Sequence, residues 1–232
     1  MVRNAGSDLW GAQLLLILGG SLLLLAGCAT LPLEEMRPQQ VESVRSDLAV
    51  TLVTTSGRQK VRAYLLYRQP DQLHVAILSP FGSPLLELFG SGDSVVCKLP
   101  SDGVACVGSL KDLPNGSFIG GWRGIAWALD LAGGETGDIL QRDSHGLLLQ
   151  KERPGGERIR YEEYRPIDGI PFPTRITYDD GRQNQVTLTF SDTEVNVELT
   201  DELLTPDLTN LRLIPLAACL ATLTPATLPD KQ

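Results

Sequence analysis

Most of the chain alternates between hydrophobic and polar residues with a period of two, the pattern of strands that bury one face. The alternation recurs about every ten residues, and turn-rich stretches such as residues 179–182 separate the repeats. Connections this short favour antiparallel hairpins over crossovers, which need a dozen or more residues. We therefore predict a mainly β fold with a meandering antiparallel sheet. Its predicted core-facing positions are Val50, Leu52, Val61, Ala63, Leu65, Tyr67, Leu73, Val75, Ile77, Ile176, Tyr178, Val186, Leu188, Phe190, Val195, Val197 and Leu199.

Two segments depart from this period. Residues 118–131 place apolar side chains on one face at helical spacing, which predicts a helix that begins near Asn115 or Ser117. Either the helix packs on a sheet face as part of an ordinary core, or it acts as a lid. The lid candidates are Trp122, Ile125 and Leu129. A weaker pattern in residues 39–47 predicts a short opening helix.

The N-terminus has the features of a lipoprotein signal peptide. Residues 14–25 form an apolar run that falls short of the roughly 20 residues needed to span a bilayer. The following Leu-Ala-Gly-Cys ends at Cys28 and looks like a bacterial lipobox. We predict a signal peptide over residues 1–27, lipidation at Cys28 and a lipidated tether over residues 28–40. Ala29, in place of Asp, favours the outer membrane under the sorting convention of enteric bacteria.

Composition and charge narrow the choice of partner. The 232 residues are 42% hydrophobic and 21% charged, which is enough apolar material for one sizeable domain. A net charge of −8 repels phosphate backbones, so we do not expect nucleic-acid binding.

Candidate catalytic and metal-binding residues are sparse. The chain has no nucleophile elbow, phosphate loop or HExxH motif, and its two histidines and four cysteines lack zinc-ligand spacing. We interpret His74 as a solvated residue on the strand face opposite the core and His145 as a turn residue. The sequence therefore predicts a protein that is not an enzyme and has no metal or cofactor.

Two cysteines flank a turn at residues 100–103. A two-residue connection makes Leu99 face Val104 and Cys97 face Cys106, a pair close enough for a disulfide in an oxidising compartment. We predict that bond, although free thiols stay open because a three-residue loop would make the pair diagonal. Cys219 is then unpaired, and its apolar neighbours predict an inert buried thiol.

An unusual turn occupies residues 78–84, Leu-Ser-Pro-Phe-Gly-Ser-Pro. Turns built from proline and glycine normally carry polar residues, whereas this one carries Phe81. The aromatic ring either folds back onto the core or projects outward. A projecting ring at a loop tip is a candidate for insertion into a bilayer.

The order of these motifs resembles the LolA/LolB-like superfamily, in particular its LolB-type outer-membrane lipoprotein receptors. The strand–turn–strand of residues 73–89 resembles the strand, Pro-Leu-Gly turn and strand of that family. Residues 169–176, 186–190 and 194–199 look like its closing strands. The resemblance covers residues 41–215, and the apolar tail over residues 216–232 has no recognised counterpart.

The resemblance implies an unclosed antiparallel β-barrel of about eleven strands with a helical lid or plug and an apolar cavity for acyl chains. It further implies a monomeric protein, anchored by its N-terminal lipid at the periplasmic face of the outer membrane. Such a protein accepts lipoproteins or lipids from a soluble periplasmic carrier and delivers them to that membrane. Phe81 matches the family's protruding hydrophobic residue.

The candidate cavity residues are Leu65, Tyr67, Val75, Ile77, Ile176, Leu188, Phe190 and Val197. The sequence leaves open whether they surround a hollow interior or fill a closed core. If the core is closed, the same fold suits a scaffolding lipoprotein of the cell envelope that binds other proteins.

Overall fold

The structure, a computed structural model, describes residues 37–55, 57–112 and 122–220. Cys28, the signal peptide, most of the tether and residues 221–232 lie outside the described residues, as do Asn115 and Ser117. Within the described part, none of the helices has the length and apolar character needed to cross a membrane.

Twelve strands form one sheet in the described part of the chain. They are β1 (Ser43–Thr54), β2 (Gly57–Arg68), β3 (Gln72–Leu78), β4 (Pro84–Ser91), β5 (Ser94–Leu99), β6 (Val104–Ser109), β7 (Ile139–Arg142), β8 (Leu148–Glu152), β9 (Arg158–Ile167), β10 (Ile170–Asp179), β11 (Gln185–Val195) and β12 (Arg212–Pro215). Three α-helices accompany them within the described residues: α1 (Trp122–Leu129), α2 (Asp201–Leu204) and α3 (Leu216–Leu220). Two short 3-10 helices occupy Pro100–Asp102 and Leu110–Asp112.

The strand order is β12-β6-β5-β4-β3-β2-β1-β11-β10-β9-β8-β7. Two antiparallel meanders, β1–β6 and β7–β11, join through the pairing of β1 with β11. Only β12 runs parallel to its neighbour, β6. The sheet is unclosed, with β7 and β12 at its edges, so the predicted mainly β, unclosed architecture is confirmed with twelve strands in place of about eleven.

The predicted alternation places one set of side chains inside the curved sheet. On β2, Ala63, Leu65 and Tyr67 are buried and face the interior, as the period of two requires. Strand β11 contains a bulge at residues 191–192. There Asp192 has a φ of 48°, and the register with β1 shifts opposite Ser46.

The predicted opening helix over residues 39–47 is wrong, because β1 starts at Ser43 and extends through this segment. Val41, Val44 and Leu48 are all buried, as a helical spacing suggested, yet the sheet buries them. Strand neighbours on both sides, β2 and β11, supply the backbone hydrogen bonds of this segment. Tertiary pairing therefore overrides a weak local pattern.

Residues 197–211, which we call the outer strap, cross the convex face of the sheet. The predicted strand through Val197 and Leu199 is wrong, because β11 ends at Val195 and Asn196, with a φ of 57°, turns the chain outward. Leu199 and Leu204 pack against Leu66 of β2 in a small outer cluster. The strap then leads into β12.

Residues 216–220, assigned to the tail from the sequence, form helix α3. Leu216 is buried, and a Cβ added to Gly108 of β6 would lie 2.7 Å from the Leu216 Cβ, so helix and strand are in close contact. This packing depends on glycine at position 108.

The cysteine pairing differs from the predicted disulfide. Cys97 does face Cys106, and Leu99 faces Val104, so the predicted register is confirmed. Cys106, however, is bonded to Cys219 of α3, with their Cα atoms 6.0 Å apart, and Cys97 is a buried free thiol. The predictions of a Cys97–Cys106 bond and of an unpaired Cys219 are therefore wrong. The packing of α3 on β6, across a sequence separation of 113 residues, decides the partner.

Candidate binding cavity

A cavity of about 160 Å³ lies between the concave face of the sheet and helix α1. Six neighbouring strands, in the order β4-β3-β2-β1-β11-β10, contribute its walls together with α1. The lining residues are Leu48, Val50, Leu52, Gln59, Val61, Ala63, Val75, Ile77, Leu86, Leu88, Gly124, Ile125, Ala128, Ile176, Tyr178, Val186 and Leu188.

The cavity extends towards one end of the sheet, which we call the mouth. Its deeper lining residues, such as Ala63 and Ile176, are buried, whereas Leu52, Gln59 and Val186 are partly exposed. Leu52 and Gln59 face each other near the β1–β2 hairpin, and Val186 lies beside the β10–β11 turn. The β3–β4 loop, residues 79–83, lies at the same end because Leu78 of β3 pairs with Arg62 of β2.

The lining is aliphatic and bears no charge. Its polar side chains are Gln59 and Tyr178, and the Tyr178 hydroxyl donates to Glu157 Oε1 at 2.7 Å. Burial first, and this hydrogen-bonded carboxylate second, raise the pKa of Tyr178, so the phenol remains neutral near pH 7. Such a surface binds by excluding water and offers no charged group to a ligand.

Helix α1 covers the cavity with a face of small and aliphatic residues, Gly124, Ile125 and Ala128. On its other side Trp127 is fixed by two polar contacts. Its indole Nε1 donates to Asp138 Oδ2 at 2.7 Å, and the Arg153 guanidinium lies 4.0 Å from the ring centroid. The helix is therefore attached to the β7–β9 meander by side chains and covers the cavity with its opposite face.

A buried lysine holds the C-terminal end of α1. Lys151 of β8 has 0% side-chain exposure, and its Nζ donates to the carbonyl oxygens of Trp127 (3.1 Å) and Asp130. The Tyr161 hydroxyl donates to the Ala128 carbonyl oxygen at 3.0 Å. Burial is the main cause that lowers the pKa of Lys151 to about 8, and the Asp130 charge opposes it. Sequence reasoning missed this residue because a lysine in a charged strand carries no signal of burial.

Phe81 projects from the mouth with 96% of its surface exposed. The loop beneath it is ordered by two backbone hydrogen bonds, from Ser79 N to Ser83 O and from Gly82 N to Ser79 O. Gly82 has a φ of 86°, a left-handed conformation that suits glycine. Of the two alternatives that the sequence left open, the structure shows the outward one.

The predicted cavity residues divide into two groups. Val75, Ile77, Ile176 and Leu188 line the cavity. Leu65, Tyr67 and Phe190 do not, because the interior beyond the cavity is filled. There Phe172 and Phe190 meet edge to face with centroids 5.2 Å apart, and the Tyr67 hydroxyl donates to the Pro70 carbonyl oxygen at 3.2 Å. Val197 is also wrong as a lining residue, since it packs outside against the Leu66 cluster.

The lid candidates divide in the same way. Ile125 lines the cavity, and Leu129 is buried in the filled core. Trp122 is the first residue of α1, and its side chain lies outside the described residues. Sequence reasoning missed Gly124 and Ala128, whose small side chains carry little hydrophobic signal.

The histidines lie away from the cavity. His74 is not solvated as predicted: its ring stacks on Phe89 with centroids 4.0 Å apart, and its nitrogens lie 3.2 Å from Glu87 Oε2 and 3.1 Å from the Leu203 carbonyl oxygen. It thereby connects the outer strap to the convex face. His145 lies exposed in a turn. Among the described residues, no group of three or more His, Cys, Asp or Glu side chains is placed to hold a metal ion.

The chain is similar in sequence to a known outer-membrane lipoprotein. The chain is 29% identical over 174 residues to the outer-membrane lipoprotein LolB of Nitrosococcus oceani, a match that covers 67% of this chain and 85% of that protein. No protein-family model matches the chain.

Solved structures share the fold. A LolA superfamily protein from Nitrosomonas europaea aligns with a TM-score of 0.51 at 19% identity, over 75% of this chain and 94% of that one. A DUF1329 family protein from Desulfovibrio piger aligns with a TM-score of 0.50 at 13% identity, over 71% and 90% of the two chains. The sequence match to LolB and the shared unclosed sheet together identify the chain as LolA/LolB-like.

Proposed function

We propose that the chain is a carrier, and not an enzyme, that binds the acyl chains of lipoproteins or lipids in its cavity and delivers them to the outer membrane. The observation that carries the proposal is the aliphatic, uncharged lining beneath helix α1. The sequence match to LolB, an outer-membrane lipoprotein, supports a role in lipoprotein binding or trafficking.

The energetics of an aliphatic site suit transient binding. Each buried methylene contributes about 0.8 kcal/mol, so an acyl chain gains on the order of ten kcal/mol on leaving water. A bilayer offers the same gain, and each 1.4 kcal/mol of difference between the two sites changes the partition about tenfold. A cavity that holds its ligand without hydrogen bonds or ion pairs can therefore release it to a membrane.

The size of the cavity implies movement of the lid. A cavity of about 150 Å³ admits one benzene molecule, so the 160 Å³ found here accommodates only a short segment of an acyl chain. Gly124, Ile125 and Ala128 form the wall on α1. We infer that displacement of this helix from the sheet enlarges the site during uptake.

The remaining parts of the proposal come from the sequence. Cys28 carries the lipid anchor, residues 28–40 form the tether, and the protein works as a monomer at the periplasmic face of the outer membrane. A soluble periplasmic carrier supplies the acylated cargo. Phe81, exposed at the mouth, enters the bilayer during delivery.

A cavity-filling substitution tests the binding site. Ala63 lines the cavity and Ala49 lies on the convex face of the adjacent strand, so Ala63→Phe and Ala49→Phe form a matched pair. The chain from residue 29 onward is titrated with an acylated fluorescent peptide. We expect saturable binding by the wild-type chain and by Ala49→Phe, and at least tenfold weaker binding by Ala63→Phe.

Two results would overturn the proposal. If the folded wild-type chain binds no acylated peptide, the cavity does not serve acyl chains. If Ala63→Phe folds, as judged by circular dichroism, and binds as tightly as Ala49→Phe, the acyl chain binds somewhere else.

A further inference from the structure

We propose that three basic residues beside the mouth, Arg58, Lys60 and Arg62, form a docking surface for the anionic headgroups of a bilayer. We call them the basic stripe. The inference extends the proposed function, because it specifies the kind of membrane surface that the mouth contacts during delivery.

The basic stripe lies on the convex face of β2. Gln59, Val61 and Ala63 point into the cavity, so alternation along the strand places Arg58, Lys60 and Arg62 on the opposite face. All three residues of the stripe are exposed. A single strand therefore carries cavity lining on one side and a row of positive charges on the other.

The stripe is adjacent to the projecting Phe81. Arg62 pairs with Leu78 of β3, and Phe81 follows Leu78 by three residues, which span at most about 10 Å. The β3–β4 loop that carries Phe81, residues 79–83, contains no charged residue. An orientation that inserts Phe81 into a bilayer thus brings the stripe to the depth of the lipid phosphates.

Little negative charge lies near the stripe, although the whole chain has a net charge of −8. The exception is Asp47 of β1, which pairs with Tyr64 and so lies diagonal to Arg62 on the convex face. The register partners of the stripe on β1 are neutral: Val53, Thr51 and Ala49. Those residues pair in turn with the neutral Gln185, Thr187 and Thr189 on β11. Among the described residues, no carboxylate forms a salt bridge with Arg58, Lys60 or Arg62.

The carboxylate of Asp179 lies in line with Arg58 across the sheet, but it is distant from Arg58. Asp179 on β10 pairs with Gln185 of β11, which pairs with Val53 of β1, so three strand spacings separate it from Arg58. Three spacings are about 14 Å, whereas salt screens charges beyond about 8 Å at physiological ionic strength. The stripe is therefore a local positive surface on an acidic protein.

A lipid surface fits this arrangement because an apolar tip and a basic patch are the two signals that together give stable membrane contact. Each basic residue close to an anionic surface strengthens binding about fivefold, so three residues strengthen it about a hundredfold. Neither signal requires a pocket.

Vesicle binding by the full chain tests the proposal. The chain is captured on a sensor through a C-terminal tag, and vesicles of phosphatidylcholine, with or without phosphatidylglycerol, flow over it. The stripe variant is Arg58→Gln/Lys60→Gln/Arg62→Gln. The control, Arg37→Gln/Lys111→Gln/Arg165→Gln, makes the same change in charge at exposed positions near the opposite end of the sheet.

We expect the wild-type chain and the control to bind phosphatidylglycerol vesicles with an affinity that falls as salt rises. The stripe variant should lose about a hundredfold of that affinity and retain its binding to phosphatidylcholine vesicles. Equal binding by the stripe variant and the control would overturn the proposal. So would unchanged vesicle binding by a stripe variant that loses an acidic protein partner, since the stripe would then serve that protein.

The acylated-peptide titration separates this proposal from the proposed function. If the stripe variant binds the peptide normally but shows no loss of vesicle binding, only the docking surface is rejected. If the wild-type chain binds no peptide, the carrier function fails, whatever the vesicle result.

Discussion

The ammonium group of Lys151 lies fully buried, 3.1 Å from the main-chain carbonyl oxygen of Trp127 at the C-terminal end of helix α1. A positive charge at this end is favourable, because helix carbonyls left without intrahelical partners carry partial negative charge. The contact joins the lid to β8 at one end of the helix. Its chemistry leads to two predictions about the lid.

Replacing Lys151 with methionine should loosen the C-terminal end of α1. Lys151→Met keeps the length of the side chain but leaves the carbonyl oxygens of Trp127 and Asp130 without this donor. We expect amide protons of residues 126–130 to exchange with solvent about tenfold faster, equivalent to about 1.4 kcal/mol. Hydrogen–deuterium exchange measures this, with the exposed Lys111→Met as the control. Equal exchange in both variants would show that the lysine does not hold the helix.

The same lysine predicts a pH dependence of stability. Burial lowers the Lys151 pKa from 10.5 to about 8, so between these values the unfolded chain binds more protons than the folded one. The free energy of unfolding contributed by this group therefore rises with pH across that range and is flat below it. Denaturant unfolding at pH values from about 7 to about 9.5 should show the rise in the wild-type chain relative to Lys151→Met. A constant difference between them would refute the assignment.

A charge at the exposed tip should separate cargo uptake from cargo delivery. Phe81 is exposed and absent from the cavity lining, so Phe81→Glu should leave folding and acylated-peptide binding unchanged. Burying a phenylalanine is worth about 1.5–3 kcal/mol, so delivery to liposomes should slow about tenfold or more. Fluorescence transfer from loaded protein to vesicles gives the rate. Leu213→Glu, another exposed apolar residue, is the control, and unchanged transfer by Phe81→Glu would remove Phe81 from the mechanism.

Loss of the disulfide should destabilise the fold and free α3. Cys219→Ser removes a bond that links residues 113 positions apart, which typically costs about 2–5 kcal/mol. Unfolding of the wild-type chain and of Cys97→Ala should respond to a reducing agent, whereas unfolding of Cys219→Ser should not. Peptide mapping under non-reducing conditions gives a direct answer, and recovery of a Cys97–Cys106 peptide would contradict the structure.

The faces of the strands and the register of Cys97 opposite Cys106 follow from local chemistry, and the sequence determined them. A period of two assigns each side chain on β2 to the interior or the exterior without reference to its neighbours in space. The loop of proline and glycine, by contrast, left two directions open for Phe81, and the structure shows the outward one.

Only the tertiary structure decided which part of the interior is hollow and which cysteine forms the disulfide with Cys106. Leu65 and Val75 have the same pattern in sequence, yet Val75 lines the cavity while Leu65 lies in filled core. The difference depends on α1 and on residues brought together from distant parts of the chain, as does the placement of Cys219 above β6. Whether side chains fill a space depends on how the volumes of residues from distant parts of the chain fit together. The alternation of hydrophobic and polar residues along a strand shows which side chains face inward but not whether they fill the interior.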